Sequence, residues 1–415
     1  MGANDPTRRE LLAGLAAPAA SLLVKPRPVR SAKGRRATRV VVVGSGVFGA
    51  WTAWHLQRRG FEVTLVDAWG PGNARASSGG ETRVTRAAYG PDEIYSRWAR
   101  ESLPEWKALA VRSGQPLFVE TGMLILATAD DPRIVESART LARLDVPHAV
   151  LDRAEVARRF PQFGLDGIEA GLWEPEAGAL LARRSVAALA AELEAAGVRR
   201  LTARVLPPGP VSGGLAELRT ADGESLPADR FVFACGPWLD KLFPELLGRR
   251  LFVTRQEVHF FGVPAGDTRF APSRFPVWLI GDQYGIPDIE GRGFKIANDQ
   301  HGPRHDPDSA ERVPSPEAIA TAREFLARRF PQLAGAPLVE SRVCQYENSA
   351  NGDFLIDRHP QAANVVLVGC GSGHGFKHGP AVGAAAASLV AGDDARLDSR
   401  LSLATKADHQ QRAVH

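Results

Sequence analysis

The sequence predicts an α/β fold in which a domain on a parallel sheet is interleaved with an α+β domain on a mixed or antiparallel sheet. Three patterns predict this fold. The strand-like run Val40–Val43 leads into a glycine-rich turn and a helix-compatible stretch, and a second strand, turn and helix begin at Val365. The apolar segment Thr121–Ala127 is typical of a strand and indicates the start of the other domain.

The composition excludes several classes of protein. With 415 residues, of which 44% are hydrophobic and 24% charged, the chain can bury a large core. No apolar run approaches the roughly 20 residues of a spanning helix, so we expect no integral membrane segment. Residues 1–39 hold nine Lys and Arg against two acidic residues, although the whole chain carries only +4. The remainder is therefore about −3, and we expect no nucleic-acid partner.

The first 37 residues form a leader. Arg8 and Arg9 precede the apolar stretch Leu11–Val24, which is followed by the basic segment Lys25–Arg39. This order fits a twin-arginine export signal, which would place the protein in the periplasm or outside the cell. A disordered leader on a cytoplasmic protein fits the same residues, so the location stays open.

The turn after Val43 has the spacing of a dinucleotide-binding motif. It reads Gly44-Ser-Gly46-Val47-Phe48-Gly49 and opens the helix-compatible stretch Ala50–Arg59. The first glycine permits a tight turn, the second a close approach to a diphosphate, and the third close packing of helix on strand. The next strand, Phe61–Val66, ends in Asp67, where a carboxylate would accept the adenosine ribose hydroxyls. A Rossmann-like domain is therefore predicted.

Three later segments carry a family resemblance. They are the small-residue loop Ala74–Gly90, the segment Ser341–Pro360 and the glycine-rich segment Gly369–Lys377. In order and spacing, roughly residues 38–400 resemble the D-amino-acid-oxidase superfamily of FAD-dependent oxidoreductases. Within it, the chain is most similar to the monomeric sarcosine oxidase and N-methyltryptophan oxidase branch.

The resemblance implies that FAD is the cofactor. The residues expected to contact it are Gly44, Gly46, Val47, Phe48, Gly49, Asp67, Ser77, Ser78, Thr82, Arg83, Val205, Cys344, Gly373, His374, Gly375 and Lys377. Cys344 matches the cysteine that bonds covalently to the flavin 8α carbon, and a nearby cation such as Arg342 would favour its thiolate. Without the resemblance, Cys344 would be a small buried residue, as we expect for Cys235. The three scattered cysteines fit neither a disulfide framework nor a zinc site, and no metal is expected.

The resemblance also implies catalytic residues. Lys295, eleven positions after Tyr284, matches the lysine that promotes reaction with dioxygen, because a fixed positive charge stabilises developing superoxide. Tyr346 would line the same cavity. Arg86 and Lys377 resemble the pair that holds a substrate carboxylate, with Arg83 nearer the flavin. For each of these charges alone, a surface position would be the commoner interpretation, so the prediction depends on their joint spacing.

Two positions depart from the family pattern, which has histidines where this chain has Gly79 and Asp299. Loss of an imidazole at Gly79 would open space, while Asp299 would repel a carboxylate or attract a cationic amine.

The expected activity is oxidation of a primary or secondary amine of an amino acid, giving an imine and hydrogen peroxide. A dehydrogenase with another electron acceptor and a non-catalytic FAD-binding protein remain alternatives. We expect a monomer.

The domain limits follow from these segments. Residues 38–120, 178–250 and 341–400 would form the FAD-binding domain, and 121–177 and 251–340 the substrate domain. We also expect helices over Ser185–Ala196 and Pro316–Phe330, the latter capped by Ser315, and a hairpin turn at Ala221–Gly223. Residues 401–415 are polar and expected to be a frayed tail.

Overall fold

A computed structural model describes residues 36–209, 211, 213–393 and 397–408 of the chain. The leader expected over residues 1–37 thus lies outside the described residues, apart from Arg36 and Ala37. From Ala37 onward the described residues belong to one compact unit.

The α-helices are short to medium in length, and α2 is the longest of those described. They are α1 (Val47–Arg58), α2 (Glu93–Ser113), α3 (Pro132–Arg143), α4 (Arg153–Arg159), α5 (Ala182–Ala195), α6 (Leu239–Leu242), α7 (Pro244–Leu247), α8 (Pro316–Arg329) and α9 (Gly379–Ala391). None of the helices in these ranges is long and apolar enough to cross a membrane.

The strands divide between two large sheets and two small ones. In chain order they are β1 (Arg39–Val43), β2 (Glu62–Asp67), β3 (Arg83–Thr85), β4 (Phe118–Glu120), β5 (Met123–Ala127), β6 (Ala149–Asp152), β7 (Ala170–Glu174), β8 (Gly178–Leu180), β9 (Arg199–Thr202), β10 (Glu217–Arg219), β11 (Ser225–Pro227), β12 (Arg230–Phe233), β13 (Leu251–Phe261), β14 (Val277–Ile280), β15 (Gln283–Ile286), β16 (Phe294–Asn298), β17 (Leu338–Ser349), β18 (Leu355–His359) and β19 (Ala362–Gly369).

The first sheet has the order β18-β19-β12-β1-β2-β9 and is parallel except for the edge strand β18. Successive side chains of β1 point to opposite faces, and both faces are buried. Val40 and Val42 pack into one core cluster with α1, α5 and α9, whereas Val41 and Val43 pack into another. This double burial explains why β1 is a continuous apolar run.

The second sheet has the order β17-β13-β16-β15-β14-β5-β7-β6 and is mixed. β14 runs parallel to β5, and the other neighbouring strands of this sheet pair in antiparallel fashion. The expected α/β fold with a second, mixed sheet is therefore confirmed. The small sheets are β3-β8-β4 and the hairpin of β10 and β11.

Local signals in the sequence correspond to observed turns and caps. The side chain of Ser315 accepts a hydrogen bond of 3.2 Å from the Ala318 amide at the start of α8. Gly223 has φ +86° in the turn between β10 and β11, which is a conformation that glycine adopts without strain. The helix expected from Ser185 begins three residues earlier, at Ala182.

Two features of the sequence prediction need correction. β17 pairs with β13 along its length, so Cys344 and Tyr346 belong to the second sheet, whereas the boundary at residue 341 assigned them to the FAD-binding domain. The tail is also ordered as far as Lys406. Leu401 and Leu403 are buried in the two core clusters, so these apolar residues hold the segment against the first sheet.

Candidate active site

The glycine turn between β1 and α1 brings three chain segments close together. A methyl group at Gly44 would lie 2.2 Å from the Ala234 carbonyl oxygen, and one at Gly49 would lie 1.8 Å from the Gly44 oxygen. The first and third glycines thus permit the tight turn and the close packing of helix on turn. Gly46 begins α1 with no side-chain cap, and the amide of Val47 donates to Ser78 Oγ at 3.1 Å.

Asp67 at the end of β2 orders the backbone beside this turn. Its Oδ2 accepts from the Ser45 amide at 2.8 Å, and its Oδ1 accepts from the amides of Trp69 and Gly70 at 2.9 Å. The carboxylate also lines the adjacent cavity.

The first of two adjoining cavities has a volume of about 510 Å³. The residues expected at the cofactor that line it are Gly44, Gly46, Val47, Phe48, Asp67, Ser77, Ser78, Arg83, Val205, Gly373 and Gly375. Two of the other five line neither cavity. Gly49 is used for packing, and buried Thr82 accepts hydrogen bonds from Lys295. Cys344, His374 and Lys377 line the second cavity instead.

The second cavity has a volume of about 440 Å³ and is lined by all six expected catalytic residues. These are Arg83, Arg86, Tyr284, Lys295, Tyr346 and Lys377. Both cavities share Ala76, Arg83, Tyr346, Gly373 and Phe376 in their linings, so they adjoin at these residues.

Cys344 lies beside Arg83, where the two cavities adjoin. Arg83 Nη2 is 3.5 Å from Cys344 Sγ and 2.6 Å from the Ser77 carbonyl oxygen. Arg342, which the sequence suggested as the neighbouring cation, instead pairs with Glu81 at 2.8 Å and with Glu340. Arg342 and Cys344 lie two positions apart on β17 and therefore on the same face, but the two carboxylates, and not the thiol, hold the guanidinium.

Lys295 of β16 is almost completely buried, with 2% of its surface exposed. Its Nζ donates to the Thr82 carbonyl oxygen at 3.1 Å and lies 5.6 Å from the centre of the Tyr284 ring. Burial, and then the nearby charge of Arg83, lower the pKa of Lys295 to about 7.

Arg86 and Lys377 both line the second cavity. Lys377 Nζ donates to Tyr89 Oη at 2.7 Å and to the His374 carbonyl oxygen at 2.8 Å. The Arg86 guanidinium carbon lies 4.1 Å from the centre of the Tyr89 ring. Burial, and then the charge of Arg86, hold the pKa of Lys377 well below its usual value.

The two departures from the family pattern both line the second cavity. Gly79 does not open space, because a methyl group there would lie 1.9 Å from the Asn73 carbonyl oxygen. The expectation of extra room was wrong, since backbone fills the position. Asp299 Oδ1 accepts a 2.8 Å hydrogen bond from Tyr346 Oη.

Two groups of the site were not predicted from the sequence. Tyr89 links Lys377 to two histidines, because its Oη lies 2.9 Å from His378 Nε2 and 3.3 Å from His374 Nδ1. The signal in the sequence was that Tyr89 lies on the same loop as Arg86. Glu347 lines the first cavity, where burial raises its pKa to about 8. No sequence motif marks a buried carboxyl group of this kind.

Cys235, which was expected to be a small buried residue, is only partly buried. It follows the end of β12, its Sγ donates to the Val43 carbonyl oxygen at 3.5 Å, and it lines the first cavity. Burial raises the pKa of this thiol well above its usual value, so it stays protonated.

The first cavity suits FAD, which is an elongated and anionic molecule. Backbone of Gly44, Gly46, Gly371, Gly373 and Gly375 forms much of its wall, where side chains would fill the space. At Gly373, for example, a methyl group would lie 2.6 Å from the Tyr346 ring. The amino end of α1 supplies backbone N–H groups and a partial positive charge for a diphosphate.

Comparisons with known proteins agree with this geometry. A family model described as FAD dependent oxidoreductase matches residues 39–389. Monomeric sarcosine oxidase of Bacillus sp. (strain B-0618) is 30% identical over 360 residues, covering 85% of this chain and 91% of that protein. N-methyl-L-tryptophan oxidase of Citrobacter koseri is 28% identical over 372 residues, covering 86% and 96% respectively.

Solved structures show the same fold. The fructosyl amine:oxygen oxidoreductase Amadoriase I of Aspergillus fumigatus superposes with a TM-score of 0.73 at 24% identity, covering 88% of this chain and 89% of that one. L-proline dehydrogenase from P. horikoshii superposes with a TM-score of 0.77 at 19% identity, covering 89% and 97%. With the family match over most of its length, the chain belongs to the FAD-dependent oxidoreductases of the D-amino-acid-oxidase superfamily, in the branch of the monomeric sarcosine oxidases and N-methyltryptophan oxidases.

Proposed function

We propose that this FAD-dependent oxidoreductase oxidises the primary or N-alkylated amine of an amino acid to an imine and passes the electrons to dioxygen, releasing hydrogen peroxide. The observation that carries this proposal is the junction of the two cavities. A glycine-walled cavity suited to FAD adjoins, at Arg83 and Tyr346, a second cavity with buried cationic groups. The relatives named for oxidation of sarcosine and N-methyl-L-tryptophan support an amino-acid substrate.

The second cavity provides two basic side chains for a substrate carboxylate. Arg86 can donate two parallel hydrogen bonds, and Lys377 in its protonated form adds a compact charge on the side of Tyr89. Charge interactions in such a buried site are much stronger than in water. When bound, FAD supplies the two-electron acceptor for the hydride lost from the carbon next to the amine.

Lys295 is the residue we assign to the reaction with dioxygen. It is buried in the wall of the second cavity and held by the Thr82 carbonyl group. Its charged form would stabilise negative charge as it develops on dioxygen.

Cys344 is the proposed attachment point of the flavin ring. A thioether there replaces the thiol hydrogen and one hydrogen of the 8α methyl group, and dioxygen takes up the two electrons released. Arg83 Nη2 lies 3.5 Å from this sulfur, and Arg83 lines both cavities.

Acid precipitation tests cofactor and linkage together. We expect yellow colour to stay with the precipitated wild-type protein and to be released from a Cys344→Ala variant. Cys235→Ala is the matched control, because Cys235 lines the other cavity, and it should retain its colour. Release of flavin from all three proteins would contradict the linkage, and failure to bind flavin even after reconstitution would contradict the proposed function.

A substrate screen tests the reaction itself. Amino acids and N-methyl amino acids should yield peroxide faster than the matching amines that lack the carboxylate, because only the former engage Arg86 and Lys377. Full turnover with an artificial acceptor under anaerobic conditions, without peroxide in air, would instead identify a dehydrogenase.

A further inference from the structure

Lys377 has an unusual environment for a buried lysine. Only 6% of its surface is exposed, and its Nζ donates to two uncharged acceptors, Tyr89 Oη and the His374 carbonyl oxygen. Within the described ranges, no carboxylate lies within the 4.0 Å of an ion pair with this lysine. A buried ammonium without a paired carboxylate is costly, so this environment favours the neutral amine.

The surrounding charges point the same way. Arg86 contacts the same Tyr89 side chain as Lys377, and its charge opposes a second positive charge there. The two acids that face it act from a greater distance and have other partners. Glu174 accepts from the amides of Ala87 and Ala88 at 2.7 and 3.1 Å, and Asp299 accepts from Tyr346. The other titratable groups of the cluster, Tyr89, Tyr95, His374 and His378, are buried as well.

The Tyr89 hydroxyl restricts where the proton of Lys377 can go. It accepts a hydrogen bond from Nζ, and its own hydrogen faces His378 Nε2 at 2.9 Å or His374 Nδ1 at 3.3 Å. Burial raises the pKa of Tyr89, so this hydroxyl stays protonated. Two of the four tetrahedral directions around Nζ hold hydrogens donated to Tyr89 and His374, and a third holds the side-chain carbon. The fourth direction is left for either a proton or a lone pair, in a residue that lines the second cavity.

We propose that Lys377 is the base that accepts the proton from the substrate ammonium group as an amino acid binds. This inference rests on the carboxylate site of the proposed function. An N–H bond of the substrate ammonium breaks and an N–H bond at Lys377 Nζ forms, with no change in the total number of protons. The substrate nitrogen regains its lone pair, which hydride loss from the adjacent carbon requires. Lys377 becomes an ammonium next to the substrate carboxylate, so a single transfer prepares both partners.

Binding of acetate, a carboxylate with no ammonium and no oxidisable amine, isolates this step. Acetate brings no proton, so Lys377 must take one from the buffer in order to pair with it. Calorimetric titration of the holoenzyme near neutral pH, in buffers of different ionisation enthalpy, counts these protons. We expect uptake of about one proton per acetate bound to the wild type.

Two variants assign the proton. Lys377→Arg should bind acetate without proton uptake, because a guanidinium is charged throughout. His374→Asn removes the imidazole that lines the cavity beside Lys377 but leaves the backbone carbonyl group that accepts from Nζ, so it should keep the uptake. If Lys377→Arg does not fold, Lys377→Met supplies the comparison in the anaerobic reduction experiment that follows.

Stopped-flow measurement of flavin reduction by an amino-acid substrate under anaerobic conditions provides a second test. For the wild type at subsaturating substrate, the rate of flavin reduction should become independent of pH as the pH falls below the pKa of the substrate ammonium group. The Lys377→Met rate should instead follow the fraction of free amine and fall about tenfold for each pH unit below that pKa. Identical pH profiles for the two proteins would overturn the inference.

The outcomes separate this inference from the proposed function. Acetate binding without proton uptake by the wild type, or uptake that persists in Lys377→Arg and is lost in His374→Asn, would overturn the role of Lys377 as base. The carboxylate site would stand in either case. Absence of acetate binding, together with equal turnover of amines with and without a carboxylate, would overturn the carboxylate site itself.

Discussion

At the scale of single residues, burial decides the chemistry of the two cavities. Among the residues that the structure describes, no carboxylate lies within 4.0 Å of the Nζ of Lys295 or Lys377 to offset the loss of water, and the pKa of each is lowered. The same cause raises the pKa of Tyr284 to about 12 and that of Glu347 to about 8. The cavities therefore favour uncharged side chains until an anion enters or charge develops.

Lys295 gives a testable dependence on pH. Its pKa is lowered to about 7, so its positive charge is lost as the pH rises through about 7. If the charge stabilises developing superoxide, the rate of reoxidation by dioxygen should fall over that range. Lys295→Met should reduce this rate by about 100-fold, the effect of removing one preorganised stabilising group. Stopped-flow reoxidation of the reduced enzyme at pH values on either side of 7 measures both effects.

The control for this prediction is Lys107→Met. Lys107 is an exposed lysine of α2 that pairs with Glu120 at 2.7 Å, remote from the cavity linings. It should reoxidise at the wild-type rate. A rate that is unchanged in Lys295→Met would exclude this lysine from the reaction with dioxygen.

At the scale of elements, two strand–turn–helix units build the cofactor cavity from opposite ends of the chain. β1 leads into α1 through one glycine turn, and β19 leads towards α9 through another. The two helices pack against each other at small residues. A methyl group at Gly379 would lie 2.6 Å from Val47, and one at Gly383 would lie 2.6 Å from the backbone of Trp51.

Gly383→Ala tests this close contact. The added methyl group would meet backbone, which cannot move aside as a flexible side chain can, so we expect a loss of about 1–3 kcal/mol in the free energy of unfolding. Chemical denaturation measures the change. Gly335→Ala is the matched control, since nothing lies within 4 Å of a methyl group at that position, and its stability should change little. Equal stabilities of the two variants would show that α1 and α9 can separate at no cost.

At the scale of the whole molecule, the cofactor cavity depends on both large sheets. Its glycine walls follow strands of the first sheet, whereas Gln345, Tyr346 and Glu347 belong to β17 of the second. A ligand bound there contacts both sheets, and it stabilises the folded state over the unfolded chain.

Removal of FAD should therefore destabilise the protein. The Cys344→Ala variant permits this test, because its flavin is expected to be removable. Restoring free FAD at 100 times its Kd should stabilise the stripped variant by about 2.7 kcal/mol. Thermal unfolding with and without added FAD measures the shift. An unchanged Tm would contradict binding of FAD to the folded protein.

The sequence by itself determined the features that depend on neighbours along the chain. The Gly44–Gly49 turn, the Ser315 cap and the β10–β11 hairpin each follow from residues a few positions apart, because backbone conformation and capping are local. Family spacing added Cys344 and Lys295 as residues of one site, and both line the second cavity.

Only the tertiary structure decided which distant groups meet. The pairing of β17 with β13 and the contact of Arg83 rather than Arg342 with Cys344 join residues far apart in the chain. The same holds for Tyr89 at Lys377, whose residues are separated by 288 positions. No local pattern encodes such contacts, because they depend on how the sheets pack. The pKa values that govern the chemistry depend on the burial which that packing creates.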